Sequence, residues 1–278
     1  MEIMDIIKEA FIFPSNNLEK LAIYIVLTFV LGLIVAGGVI TTVAGVNNSS
    51  VYLILAAILF IISIIVALII SGYQLAILKS GIDLDDEAPS FDWKNDLITG
   101  IKLIIVNIVY MIIPAIIVGI VALITNLPGN MVKASQEVAA NSANVTAIAN
   151  STAPVVANIS DATAAAFASS FAITAIVGLI LVIIFAFFLT MGQSRLANTG
   201  SLGEALNIPE AARDISRIGV GKVIAVVLLI IVVIGVIQAV LGYVYGQVPQ
   251  LSLLSIIVTP YLAFFSQRAY GLLYSDIA

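Results

Sequence analysis

The chain has 278 residues, is 62% hydrophobic and only 10% charged, and has a mean hydropathy of +1.19. A water-soluble domain carries about 25% charged residues, so this composition requires a bilayer as solvent. It contains no Cys and no His, which excludes disulfides, thiolate metal sites and the usual general base. The net charge of −5 argues against nucleic acid as a partner, because phosphate binding needs clustered Lys and Arg.

The first 20 residues read as an amphipathic lead-in. Ile3, Ile6, Ile7, Ala10 and Phe11 follow helical spacing, with Glu2, Asp5 and Glu9 on other faces. That pattern predicts a short helix lying on the membrane surface. The acidic start is unlike a cleavable signal, which is basic. Four long uncharged stretches follow. A membrane helix needs about 20 apolar residues, which places six spans, near Leu21–Ala44, Val51–Leu78, Leu103–Thr125, Phe171–Met191, Val223–Val244 and Pro249–Gln267. Together they define an all-α integral membrane bundle of about six transmembrane helices in a single membrane domain, residues 1–278.

With that map, ten of the eleven Lys and Arg fall on one side, and only Lys133 falls on the other. The positive-inside rule then puts both termini in the cytoplasm of a multi-pass cell-membrane protein. Asn-x-Ser/Thr triplets occur at Asn47, Asn48, Asn144, Asn150 and Asn158, all in segments placed outside. Asn47 and Asn48 lie too near the membrane to be acceptors. Asn144, Asn150 and Asn158 are candidate glycosylation sites or simply polar residues of a solvated loop. That outer loop, residues 126–170, is rich in Ala, Asn and Ser and poor in large apolar residues. It predicts partial helix and no independent core, with Ser160 or Asp161 capping a helix that enters the fourth span.

The chain also reads as three hairpins of one pattern. Each has a proline (Pro14, Pro89, Pro209), a lead-in, a lysine (Lys20, Lys102, Lys222), an outward span and a return. An acid precedes each lysine: Glu19, Asp96 and Asp214. Each return ends in a glutamine, a cation and a glycine: Gln74, Lys79 and Gly81; Gln193, Arg195 and Gly200; Gln267, Arg268 and Gly271. A proline starts a lead-in helix, a lysine snorkels to the headgroups, and a glycine lets the chain turn out of the returning helix.

Within this frame the segment Pro89-Ser-Phe91-Asp92-Trp93, running through Gly100 and Lys102 to Tyr110 and Pro114, resembles a domain-of-unknown-function family of archaeal, methanogen-type membrane proteins. Arg195 through Gly200 and Gly203, with Arg217 to Lys222, looks like a second block of that family. Thr259-Pro260-Tyr261 through Arg268 and Gly271 looks like a third. The long outer loop resembles it least. The resemblance implies fold and compartment and brings no activity with it.

Little in the sequence is chemically committed. The acidic run Asp83-Leu-Asp85-Asp86-Glu87 lacks the spacing of a calcium loop and reads as a solvated loop. Trp93 reads as an interfacial anchor. Inside the spans the polar candidates are Asn107 and Gln238, read as packing glue or as the lining of a solute path. No Asp, Glu, Lys, Arg or His lies at hydrocarbon depth, where coupled transporters usually keep one. No catalytic constellation, cofactor site or metal site is visible. These readings favour a non-enzymatic envelope scaffold or lipid-interacting component. A small-solute or lipid transporter is the alternative, and a lipid-headgroup enzyme the third. The bilayer is the expected partner, with a homo-oligomer or other membrane proteins open.

Overall fold

The structure is a computed structural model that describes residues 1–47, 49–147 and 159–278, with backbone only at 47 and 141–147. Asn48, Asn150 and Asn158 therefore lie outside the described residues, and Asn144 is placed only as backbone. The elements are α1 (Ile3–Asn16), α2 (Leu18–Asn47), α3 (Ser50–Ile82), α4 (Trp93–Ile124), α5 (Leu127–Ala147), α6 (Asp161–Thr199), α7 (Leu202–Ala205), α8 (Ile208–Ile218), α9 (Val220–Gln247) and α10 (Ser255–Tyr274), the last preceded by a 3₁₀ segment, Pro249–Leu254. There is no strand among the described residues. Six helices are long and apolar enough to cross a membrane. Their outward residues are large and apolar, as at Ile61, Ile116, Leu179 and Val236, which is what hydrocarbon solvates and water does not.

The described residues form two compact units: Met1–Ile108 with Phe187–Ala278, and Val109–Ala186. In the first, α3 packs on α2 and α10, and α1 packs on α10. Its core gathers Phe13, Tyr24, Ile70, Tyr73, Ile77 and Phe264. Burial on α3 is concentrated from Ile70 to Ile82, while Val51, Ile54, Ile58 and Ile61 are exposed. The core of this unit thus sits toward the end of α3 that carries Lys79.

Glycine sets two of the helix crossings. A Cβ on Gly72 would stand 1.8 Å from the Asp96 carbonyl oxygen, and one on Gly100 would stand 2.0 Å from that of Leu68. These two glycines let α3 and α4 touch backbone to backbone. At Gly271 a Cβ would stand 2.1 Å from the Leu78 carbonyl, and at Gly81 it would stand 2.9 Å from the Gly271 Cα, so α3 and α10 meet the same way. This corrects the turn role expected of the three repeat glycines. Only Gly200 has a left-handed backbone, φ +67, and ends its helix. Gly81 and Gly271 lie inside helices and act as small-residue contacts.

The prolines differ as well. Pro209 opens α8, whereas Pro14 lies inside the last turn of α1 and Pro89 precedes α4 in a loop. The lead-in α1 is helical as expected, yet Ile6, Ala10 and Phe13 are buried. Phe11 makes edge-to-face contacts at 5.6 Å with both Tyr261 and Phe265. Its apolar side is therefore given to α10, with Met4 and Ile12 left exposed.

The second unit contains the rest of α4, helix α5 and the first part of α6. The predicted partial helix of the outer loop is the 21-residue α5. Helix α6 starts at Asp161, with the Ser160 hydroxyl accepting from the Thr163 amide at 3.4 Å. Glu137 of α5 accepts from the Ser160 amide at 2.8 Å and from the Thr163 hydroxyl at 2.6 Å. These bonds hold the Glu137 carboxyl below its usual range. Asn130 donates to the Ala166 carbonyl at 3.1 Å and to the Ser170 hydroxyl at 3.2 Å.

Candidate functional site

The polar chemistry of the first unit collects where α3, α6 and α10 end. Arg268 is fully buried. It donates to the Ser80 carbonyl at 2.9 Å, to the Asp85 carbonyl and to the Glu9 carboxylate at 2.7 Å, with Asp86 at 3.5 Å. Its guanidinium lies 4.5 Å from the Phe13 ring centroid, a cation–π contact. The acidic run is thereby folded in part: its backbone serves Arg268 while the Asp86 side chain stays exposed. Asn17 completes the clasp. It donates to the Phe13 and Asp86 carbonyls and accepts from the Ala88 amide at 2.7 Å. Sequence reasoning missed Asn17, whose only signal is a polar residue between two helical patterns.

Arg195 makes the corresponding junction at the end of α6. It donates to Asp214 at 2.8 Å, to the Glu204 carbonyl at 2.9 Å and to the Glu204 carboxylate. Asp214, 1% exposed, also accepts from Arg217 at 3.0 Å and from the Tyr274 hydroxyl at 3.1 Å. Near the chain ends, Asp276 pairs with Lys222 and with the Met1 amine. Partial burial pushes the Asp276 carboxyl up, but these two cations outweigh it and leave it below the usual range.

The segment from Pro89 to Lys102 forms the third junction. Phe91 stacks on Tyr73 with centroids 3.6 Å apart, and the Tyr73 hydroxyl donates to the Pro89 carbonyl at 2.9 Å. Asp92 caps α4 by accepting from the Asn95 amide at 3.1 Å, and Asp96 reaches back to accept from the Asp92 amide at 3.0 Å. This reciprocal arrangement satisfies two donors at the helix start. Trp93 is exposed beside them. Lys102 donates to the Gly200 carbonyl at 2.8 Å, beyond the end of α6. A cavity of about 350 Å³ opens here, lined by Lys79, Asn95, Asp96, Thr99, Lys102 and Asn198 among others.

At span depth, Asn107 accepts from the Gln193 side chain at 2.9 Å. Gln74 likewise donates to the Tyr24 hydroxyl. Two of the three repeat glutamines thus join the helices of their own hairpin. Gln238 is exposed on α9 and the structure does not bring it to Asn107. A second groove of about 370 Å³ runs between α2, α3 and α10, lined by Tyr24, Thr28, Gly32, Gln74, Thr259 and Pro260 among mostly apolar neighbours.

Six long apolar helices with outward-facing aliphatic side chains define a multi-pass membrane protein of the all-α class. A family model described as "Protein of unknown function (DUF4013)" matches residues 54–246, more than half of the chain, and the protein belongs to that family. The first two sequence blocks lie within the match, as does the outer loop, and the Thr259–Gly271 block lies beyond it. No curated protein and no solved structure matches the chain.

Proposed function

We propose that the protein is a non-enzymatic, lipid-interacting component of the cell membrane, with both termini in the cytoplasm. The groove between α2, α3 and α10 carries this reading. Its volume of about 370 Å³ and mostly apolar walls suit an acyl chain, with Tyr24 and Gln74 paired on its lining beside Thr28, Ser255 and Thr259. An apolar ligand seated there would meet mostly apolar walls, which is where such a ligand gains contacts. The crowding of Lys and Arg on one side of the map supports the orientation. The family resemblance and the isoleucine- and asparagine-rich composition support an archaeal source.

The test uses Gly32, where a built Cβ meets nothing within 4 Å. Gly32→Leu places a branched side chain on the groove lining, starting from a Cβ that meets nothing. With a photoreactive acyl-chain lipid in membranes, the wild type should crosslink to α2 or α10 and the variant should lose most of that product. Equal labelling would refute the acyl site. Orientation is tested separately: cysteine at Gln136 should react with an impermeant reagent on intact cells and cysteine at Ser216 should not. Labelling of both from one side would reverse or break the map.

A further inference from the structure

The three junctions share an order of residues but not an outcome. At two of them the returning helix carries an arginine that reaches a lead-in carboxylate: Arg195 reaches Asp214, the acid of the repeat, and Arg268 reaches Glu9, which lies before Pro14 and is not the repeat acid Glu19. At the third, the returning helix ends in Lys79, which turns back to Asp83 one helical turn on, at 2.9 Å. The lead-in carboxylate there is Asp96. It is 3% exposed, and among the described residues no Lys or Arg comes within 4.0 Å of it. Asp96 lines instead the cavity of about 350 Å³, together with Lys79 and Lys102.

A buried carboxylate without a cation is costly, and the same cavity presents two ammonium groups. Each ammonium has three donors. Lys102 spends one on the Gly200 carbonyl, and Lys79 is engaged by a single carboxylate. Lys79, Lys102, Asp83 and Asp96 sum to zero formal charge. A plain anion would therefore face Asp96, and a plain cation would face the lysines. A ligand of zero net charge with its two charges separated satisfies both. Asn95, Thr99 and Asn198 add neutral hydrogen-bonding groups to the wall. Lys102 immediately precedes the apolar run that starts at Leu103, so the cavity lies at the level of lipid headgroups.

We propose that this cavity binds a zwitterionic aminophosphate, the phosphoethanolamine group of a lipid or of a soluble compound, with its ammonium on Asp96 and its phosphate on Lys79 and Lys102. The site is separate from the acyl groove on the other face of α3 and does not depend on it.

The test is native mass spectrometry of the full-length protein in non-ionic detergent. It is titrated with phosphatidylethanolamine or with phosphatidylglycerol of the same acyl chains. Phosphatidylethanolamine should bind about tenfold more tightly, the worth of one charge-assisted hydrogen bond. Asp96→Asn, which retains an acceptor for the Asp92 amide, should abolish that preference while leaving phosphatidylglycerol bound. Lys102→Met should weaken both lipids. Should Asp96→Asn fail to fold, Lys102→Met and the wild-type preference still decide. Equal binding of the two lipids by the wild type, or an unchanged ratio in a folded Asp96→Asn, would overturn the proposal. Displacement by free O-phosphoethanolamine at comparable concentration assigns the site to a soluble ligand, and failure to displace assigns it to the lipid. Gly32→Leu should leave the ratio between the two headgroups unchanged, which keeps this result distinct from failure of the acyl groove.

Discussion

The two units are held together by different chemistry. In the first, two buried arginines each bind several acceptors on different segments, and glycine pairs bring helix backbones into contact. In the second, α5 meets α6 through an amide, hydroxyls and one half-buried carboxylate. The contrast follows from solvation. A guanidinium withdrawn from water draws its partners from protein, and although the Arg268 Nε finds none, its removal still takes a donor from several groups at once. A carboxylate in contact with water exchanges one set of partners for another at little cost.

This comparison can be broken at Arg268 first. Arg268→Met would take the guanidinium from the Asp85 carbonyl and the Glu9 carboxylate, while the Ser80 carbonyl would keep the Asp85 amide at 2.9 Å. Loss of one partner of a buried pair costs about 3–5 kcal/mol, and Glu9 is partly wetted, so the low end applies. That corresponds to a fall of roughly 6–12 °C in the thermal midpoint in detergent. Arg268→Lys should rescue only part of it, because an ammonium lacks the planar fork that serves several acceptors. An unchanged midpoint for the methionine variant would show that the clasp is dispensable.

The glycine crossings come next. Gly271→Ala places a methyl 2.1 Å from the Leu78 carbonyl, so α10 must move off α3 at a cost of about 1–3 kcal/mol. Gly32→Ala meets nothing within 4 Å and should gain up to about 1 kcal/mol from helix propensity. Opposite shifts of the two midpoints in detergent are the expected result. Equal shifts would mean that backbone contact between α3 and α10 contributes nothing.

The smallest effect belongs to the second unit. Glu137 has its folded pKa lowered by the Thr163 hydroxyl and the Ser160 amide and hydroxyl. A lowered carboxyl contributes stability that is present above its unfolded value, about pH 4.3, and is lost as pH falls through the folded value. The wild type should exceed Glu137→Gln in thermal stability at neutral pH, and the gap should close on acidification below about pH 4. A gap that widened toward acid would reverse the sign and refute the assignment.

Six spans and the lead-in helix were legible from the sequence because each depends on a local property, the length of an apolar run or the spacing along one helix, whereas α4 and α6 begin about ten residues before the apolar runs they carry. The role of the repeat glycines was not legible, since a glycine that ends a helix and one that lets two helices touch look alike along the chain. Only the backbone at Gly200 and the contacts at Gly81 and Gly271 separate them. Nor could the sequence name the partner of Asn107. Gln193 lies across the hairpin from it.

What the chain determined by itself is its solvent: uncharged runs of span length have no stable place but a bilayer. What only the tertiary structure decided is which charges meet. Arg268 finds Glu9 across nearly the whole length of the chain, and Lys79 leaves Asp96 to a cavity. The physical reason is range. Hydrophobic partition acts on each segment separately, while an ion pair acts over a few ångströms and exists only after packing has brought its two ends together.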